Sequence, residues 1–442
     1  PINISFYIQL VDKRTMRCKK EQHFNLFFSS AEKTGKSTRP PTPATTATTT
    51  STTRATTTST PIVRRLYKQK PLLICQLVSP DYYPPGVMRD AAMTQEVPSS
   101  TICDYTLLDL PLSPNFTYEA TSYNFLIKKA TGHKLLFSVN LNWADPNMSM
   151  TVLNSDSFEN SLMNARYTLL QQKIYGLGII KDLPSLVTWN RRKPYLKMTY
   201  ERFNFHMLRT SDVFPDDTKN FVAFRPDDTF TPQNYHNYLS LLNSIDGLSI
   251  VIILTITDEN MLEVVPSSSW NRSCLPQMSQ PTMEEAVSAI LSVPDPKVNY
   301  TLTVSLRLDN FHSSIIPLFN KGPPLWRYYT RSHKSFFFKT TCRTQIYSRD
   351  PQGVNIYYYQ GGSCAFTAGP TIMDDMVTLE TPRSLRQKMR ETYHMIGYSK
   401  TDTYVVGWTV YNVTNSLAPT DCGGYHNRIS EIRKIIDENK EL

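Results

Sequence analysis

The sequence predicts an α/β fold built as a parallel (β/α) barrel, and three observations carry that prediction. Short apolar runs of strand length recur along the second part of the chain, and segments with apolar residues at spacings of three and four stand between them. One stretch, Phe158 to Pro184, shows both periods in succession. Phe158, Leu162, Ala165, Leu169 and Leu170 recur at helical spacing, and after Lys173 the pattern becomes the apolar run Tyr175 to Ile180, closed by Lys181, Asp182 and the strand-breaking Pro184. The third observation is size: 442 residues allow one barrel-sized domain plus an extra segment, and 40% hydrophobic content can fill its core.

Taken in order, residues 1–33 form a basic, mixed segment with Cys18 that no pattern assigns. From 34 to 62 the chain is a Thr/Pro-rich stretch, and twelve of the nineteen residues from Thr42 to Thr60 are Thr. Such a stretch cannot bury a core, so it is expected to be a disordered, O-glycosylated, mucin-like stalk. The folded domain is expected over 63–442. Leu72 to Val78 and Ile102 to Leu110 read as strands buried on both faces, and Leu135 to Trp143 as a third. After the Phe158–Pro184 helix and strand, Tyr200 to Leu208 reads as a helix and Asn220 to Phe224 as a fifth strand, followed by Arg225. Tyr235 to Asp258 runs helix into strand, and Met283 to Leu291 with Tyr300 to Leu306 repeats that unit. Residues 312–370, rich in aromatics, break the alternation. It resumes with a helix at Ser384 to Ile396, a strand at Tyr404 to Val410 and a helix at Ile429 to Ile436.

Charge and cysteine usage bound the setting. The net charge of +9 comes from scattered Lys and Arg with only short clusters, which argues for a solvated surface and against a nucleic-acid partner. No run reaches the roughly 18 apolar residues of a membrane span. Seven Cys together with six sequons, at Asn3, Asn115, Asn147, Asn271, Asn299 and Asn412, predict a secreted or extracellular glycoprotein. The chain opens on Pro1 without a signal peptide, so a preceding piece is expected. The eight His show no metal spacing and there is no Cys-x-x-Cys, phosphate loop or G-x-S-x-G elbow, so no metal and no cofactor are expected.

The segment Tyr175-Gly176-Leu177-Gly178-Ile179-Ile180-Lys181-Asp182-Leu183-Pro184 resembles the fourth-strand motif of glycoside hydrolase family 18, the chitinases and chitinase-like lectins, D-G-[LF]-D-[LIF]-D-W-E-Y-P. Gly176, Leu177 and Pro184 match in register. Leu135 to Trp143 resembles the family's third strand, and Trp408 falls on the Trp of its last strand, so the resemblance covers about Leu72 to the C-terminus. It implies a (β/α)8 TIM barrel with a small α+β insertion between strands 7 and 8, here 312–370. It also implies the disulfides Cys75–Cys103 and Cys342–Cys422; Cys274 and Cys364 are left as a third pair by arithmetic alone.

At the positions that carry chemistry the motif is degraded. The three aspartates become Tyr175, Gly178 and Ile180, and the catalytic glutamate becomes Asp182. A family 18 enzyme works by substrate assistance, an exception to the two-carboxylate scheme. A glutamic acid protonates the glycosidic oxygen, while a neighbouring Asp orients the acetamide that attacks the anomeric carbon. Ile180 can orient nothing, and Asp182 is about 1.5 Å short of the glutamate's reach, where about 1 Å of misplacement can cost on the order of 100-fold. The resemblance therefore implies a catalytically degenerate chitinase-like protein that binds chitin or another N-acetylglucosamine-containing glycan. The alternatives are a weak glycosidase using Asp182 as acid, and a secreted scaffold that binds a protein partner and has no sugar site. Trp408 has two readings, the floor beneath a sugar or a core tryptophan with a satisfied N–H. Trp143 and Asp258 are further sugar-binding candidates.

Overall fold

A computed structural model of the chain describes residues 70–77, 97–108, 130–139, 151, 154–156, 160, 174–182, 194–205, 218–225, 232–256, 268–271, 282–306, 308–313, 330–336, 356–359, 364–368, 375–398, 404–411, 413 and 428–438. The chain divides into two compact units, Pro1–Thr60 and Pro61–Leu442, and the described residues all lie in the second. The expected helix over Phe158–Leu170 falls outside them, apart from residue 160.

Eight parallel strands close into a barrel: β1 (Leu73–Leu77), β2 (Tyr105–Leu108), β3 (Leu135–Ser138), β4 (Ile174–Asp182), β5 (Phe221–Arg225), β6 (Ile250–Ile253), β7 (Asn299–Ser305) and, after an inserted sheet, β13 (Val406–Tyr411). The barrel runs β1-β2-β3-β4-β5-β6-β7-β13 and back to β1. Its strands are the apolar runs of the sequence. Ile-Val-Ile-Ile of β6 is buried throughout, as a parallel strand covered on both faces must be. The helices are α1 at 194–205, α2 (Pro232–Asn243), α3 (Met283–Leu291), α4 (Pro382–Tyr398) and α5 (Arg428–Glu438). The first is already helical at 194, six residues before the Tyr200 start that the sequence pattern indicates. Thr282 closes a capping box at the start of α3, its hydroxyl accepting from the Glu285 N–H and the Glu285 carboxylate from the Thr282 N–H.

The alternation of each strand divides the core in two. One cluster lies between strands and helices and takes Leu73, Cys75, Leu177, Ile179, Leu302, Val406, Trp408 and Val410. The other fills the barrel interior and takes Ile74, Leu107, Leu136, Phe221, Ala223, Ile250, Ile252 and Leu254. At the entry to β4 the register with β3 steps from Leu135–Ile174 to Leu136–Gly176, a β-bulge that turns Tyr175 onto the inner cluster. There its ring meets Tyr105 edge-on at 6.2 Å, with the Lys134 ammonium 5.4 Å from the Tyr175 ring centre. Cys75 and Cys103 are bridged with their Cα atoms 5.9 Å apart, as expected, tying β1 to the lead-in of β2.

Between β7 and β13 lies a second, antiparallel sheet of five strands: β8 (Leu308–Ser313), β9 (Thr330–Phe336), β10 (Ile356–Tyr359), β11 (Cys364–Ala368) and β12 (Asp375–Leu379), ordered β10-β11-β12-β8-β9. This is the insertion between the seventh and eighth barrel strands. It extends from Leu308 to Leu379, beyond 312–370 at both ends, and its described residues are all strand. The chain leaves it through a buried polar junction. Glu380 pairs with Lys388 of α4 and accepts from the hydroxyls of Ser268 and Ser384, each at 2.8 Å. Arg428 of α5 donates to the carbonyls of Glu380 at 3.2 Å and Leu306 at 2.7 Å.

Candidate functional site

In a parallel barrel the strands' carboxyl ends form the face where ligands meet the protein. On β4, Gly178 and Ile180 share the inward face, because Leu177 and Ile179 between them belong to the outer cluster. Gly178 pairs with Phe221 of β5, and a Cβ built on Gly178 would stand under 3.0 Å from the Phe221 ring and carbonyl oxygen. The ring thus occupies the space that a side chain at 178 would need. Two residues on, Ile180 is half-buried against the same inner cluster. Gly176 is required for a different reason: a Cβ there would collide with the carbonyl of Lys219, where the two strands approach closely. Asn220 locks that approach. Its side-chain oxygen accepts from the Leu177 N–H at 2.9 Å, and its amide donates to Asn204 of α1 at 2.5 Å.

The last residue of β4, Asp182, pairs in register with Arg225, the last residue of β5. Across the barrel, the inward positions of β7, β13 and β1 carry the uncharged polar residues Thr301, Thr303, Ser305, Thr409 and Gln76, beside Ile74 and Tyr411 of the inner cluster. The Thr301 and Thr409 hydroxyls bond to each other at 2.8 Å. One half of the interior is therefore aliphatic and aromatic, and the other carries hydroxyls and an amide. Among the described residues, no three His, Cys, Asp or Glu gather as metal ligands, and no helix is long and apolar enough to cross a membrane.

No family model matches the sequence, and it matches no curated protein. Solved structures match its coordinates over nearly their whole length. A chitinase-like agglutinin from Robinia pseudoacacia is 11% identical, with a TM-score of 0.53 over 83% of this chain and 98% of its own. The catalytic domain 2 of the Group II chitinase from Ostrinia furnacalis is 12% identical, with a TM-score of 0.55 over 84% and 97%. The Class V chitinase of Nicotiana tobaccum, solved as a Glu-to-Gln variant with NAG4, is 9% identical, with a TM-score of 0.53 over 84% and 99%. The chain has the fold of the glycoside hydrolase family 18 chitinases and chitinase-like proteins.

On this chitinase fold the predicted site residues fall as follows. Tyr175, Gly178, Ile180 and Asp182 all lie on β4, Tyr175 near its amino end and Asp182 at its carboxyl end; the side chain of Asp182 lies outside the described residues. Trp408 does not face the barrel interior. It sits mid-strand in the outer cluster, fully buried, and its indole N–H donates to the Tyr393 hydroxyl of α4 at 3.2 Å. Of its two readings, this is the geometry of a core tryptophan with a satisfied N–H. Trp143, Asp258, Cys274, Cys342 and Cys422 lie outside the described residues, and Cys364 opens β11 opposite Tyr359 with its side chain outside them. The sequence did not single out four residues: Arg225 and Gln76 near the carboxyl ends of β5 and β1, and Phe221 and Asn220 at the amino end of β5, where Phe221 stands opposite Gly178. The signals were present for two of them. An aromatic beside a motif glycine and a basic residue closing the neighbouring strand are both visible, but only the β4–β5 register brings them opposite positions 178 and 182.

Proposed function

We propose that this protein is a secreted chitinase-like binding protein whose hydrolytic chemistry has been lost, with chitin or another N-acetylglucosamine-containing glycan as its ligand. The observation that carries this reading is the filling of position 178 by the Phe221 ring, beside Ile180 on the inner cluster. Substrate-assisted hydrolysis needs a carboxylate at 180 to hold the acetamide, and a hydrogen-bonded neighbour to keep that carboxylate ionised in a buried row. An isoleucine and a phenyl ring supply neither. Asp182 is a poor general acid because it is one methylene short of the glutamate's reach.

Binding is supported by the fold, shared with a chitinase-like agglutinin and with a chitinase solved in complex with NAG4. Secretion is supported by the Cys75–Cys103 bridge, which persists in oxidising compartments, and by the sequons. The test has two arms. Purified protein should release no fluorophore from a chitotriose glycoside, and calorimetric titration with chitotriose should show binding. Turnover that disappears in Asp182→Asn would install Asp182 as a working acid and overturn the loss of chemistry. Absence of binding with retained capture of a protein ligand would replace the glycan with a protein partner.

A further inference from the structure

Gln76 is the penultimate residue of β1, near the carboxyl end of the barrel. Leu73, Cys75 and Leu77 belong to the outer cluster and Ile74 to the inner one, so Gln76 shares the inward face with Ile74. It lies one residue beyond the Cys75–Val410 pair, level with Tyr411 of β13, which in turn pairs with Ser305 of β7. The residue is only 1% exposed, and neither its amide oxygen nor its amide nitrogen has a hydrogen-bond partner in the protein. The Thr303 hydroxyl, on the inward face of β7, is buried and likewise unpartnered.

Such groups are expensive. Burying an amide or a hydroxyl without a partner opposes folding, and the large majority of buried side-chain polar atoms in proteins are paired. An apolar residue of similar size would serve the core better at both positions, as the isoleucines and leucines elsewhere in the inner cluster do. Polar groups held unpaired against stability mark sites kept for a ligand.

We propose that Gln76, supported by Thr303, is the recognition group of a neutral polar site on the β1–β13–β7 wall, opposite the apolar half that replaced the acidic row. An amide offers one donor and one acceptor together, so it is matched by a ligand group with the same pair, a secondary amide or a hydroxyl. This wall carries no charged side chain among its inward positions, so a neutral ligand enters without an unpaired charge. This rests on the reading of the protein as a glycan binder and assigns the recognition within that site to β1 and β7, away from β4.

The experiment compares wild type, Gln76→Met and Thr303→Val by thermal unfolding and by titration with chitotriose. Both substitutions keep the side-chain volume close to native while removing the unpaired polar atoms. The expected result is a melting temperature raised by about 2 °C or more in Gln76→Met, with chitotriose binding weakened by about tenfold or more; Thr303→Val should shift both in the same sense. A melting temperature that falls or stays level shows the amide to be satisfied within the protein and overturns the inference, and so does unchanged affinity in Gln76→Met. If wild type binds no chitotriose, the glycan reading fails. The inference is then decided by the melting temperature alone: a rise retains it for another neutral ligand, and no rise overturns it.

Discussion

At residue scale, the decisive position is Gly178. Restoring an aspartate there drives a side chain into the Phe221 ring and carbonyl, and also buries a charge with no hydrogen-bonded partner. Overpacking and uncompensated polarity together should make Gly178→Asp less stable by about 3 kcal/mol or more, read as a lowered urea midpoint. Because part of the clash is with the ring and only the carbonyl contact survives its removal, Gly178→Asp combined with Phe221→Ala should lose less than the sum of the two single changes, a coupling that a double-mutant cycle measures. Neither variant should hydrolyse a chitotriose glycoside. Trp408 supplies a contrasting case. Its ring is wholly buried on the helical side and bonded to Tyr393, so Trp408→Ala should cost about 3–5 kcal/mol of stability. It should leave the chitotriose affinity of the folded fraction unchanged. A loss of affinity at constant fold would return Trp408 to the sugar site.

At the scale of elements, the junction between the inserted sheet and α4 is the place where the second sheet is tied to the barrel. Glu380 follows β12 directly, and its pairing with Lys388 is almost wholly removed from water, with Ser268 and Ser384 completing the carboxylate's bonds. Burial lowers the Lys388 pKa, and the Glu380 carboxylate opposes that shift. Breaking one half strands a charge in the core. Glu380→Gln should therefore destabilise by about 3–5 kcal/mol, while Glu380→Gln with Lys388→Met should recover most of that loss in urea unfolding. Helix α3 shows the opposite economy of means. Met283–Leu291 was legible to the residue, because Thr282 and Glu285 announce the capping box and the apolar spacing follows at once. At α1 a signal was present but not read: Pro194, of the type favoured at the first helical position, stands where the described helix opens.

For the whole molecule, the Cys75–Cys103 bridge closes a loop of 28 residues across the first two strands, and reducing it should lower stability by about 2–4 kcal/mol, seen as a lower melting temperature in dithiothreitol. Acid acts through His133. Burial lowers its pKa in the folded chain, where Nδ1 bonds to the Thr106 hydroxyl at 2.8 Å. The unfolded chain then binds the proton more readily, so the contribution of His133 to stability is complete above the unfolded value of about 6.5 and declines as pH falls below it. Replacing His133 by Gln should flatten that part of the stability profile between about pH 7 and 5. The sequence by itself determined the barrel: its strands are continuous apolar runs, its helices have their own period, and the aspartates missing at 175, 178 and 180 are plain in the residue types. It could not determine which face of each strand looks inward. A parallel strand is buried on both sides, so a run such as Ile250 to Ile253 carries no alternation of polar and apolar residues to separate the interior from the helical layer. Only closure of the barrel turned Trp408 outward, the bulge turned Tyr175 inward, and the β4–β5 register set Phe221 against Gly178, because these depend on hydrogen bonds between strands distant in the chain.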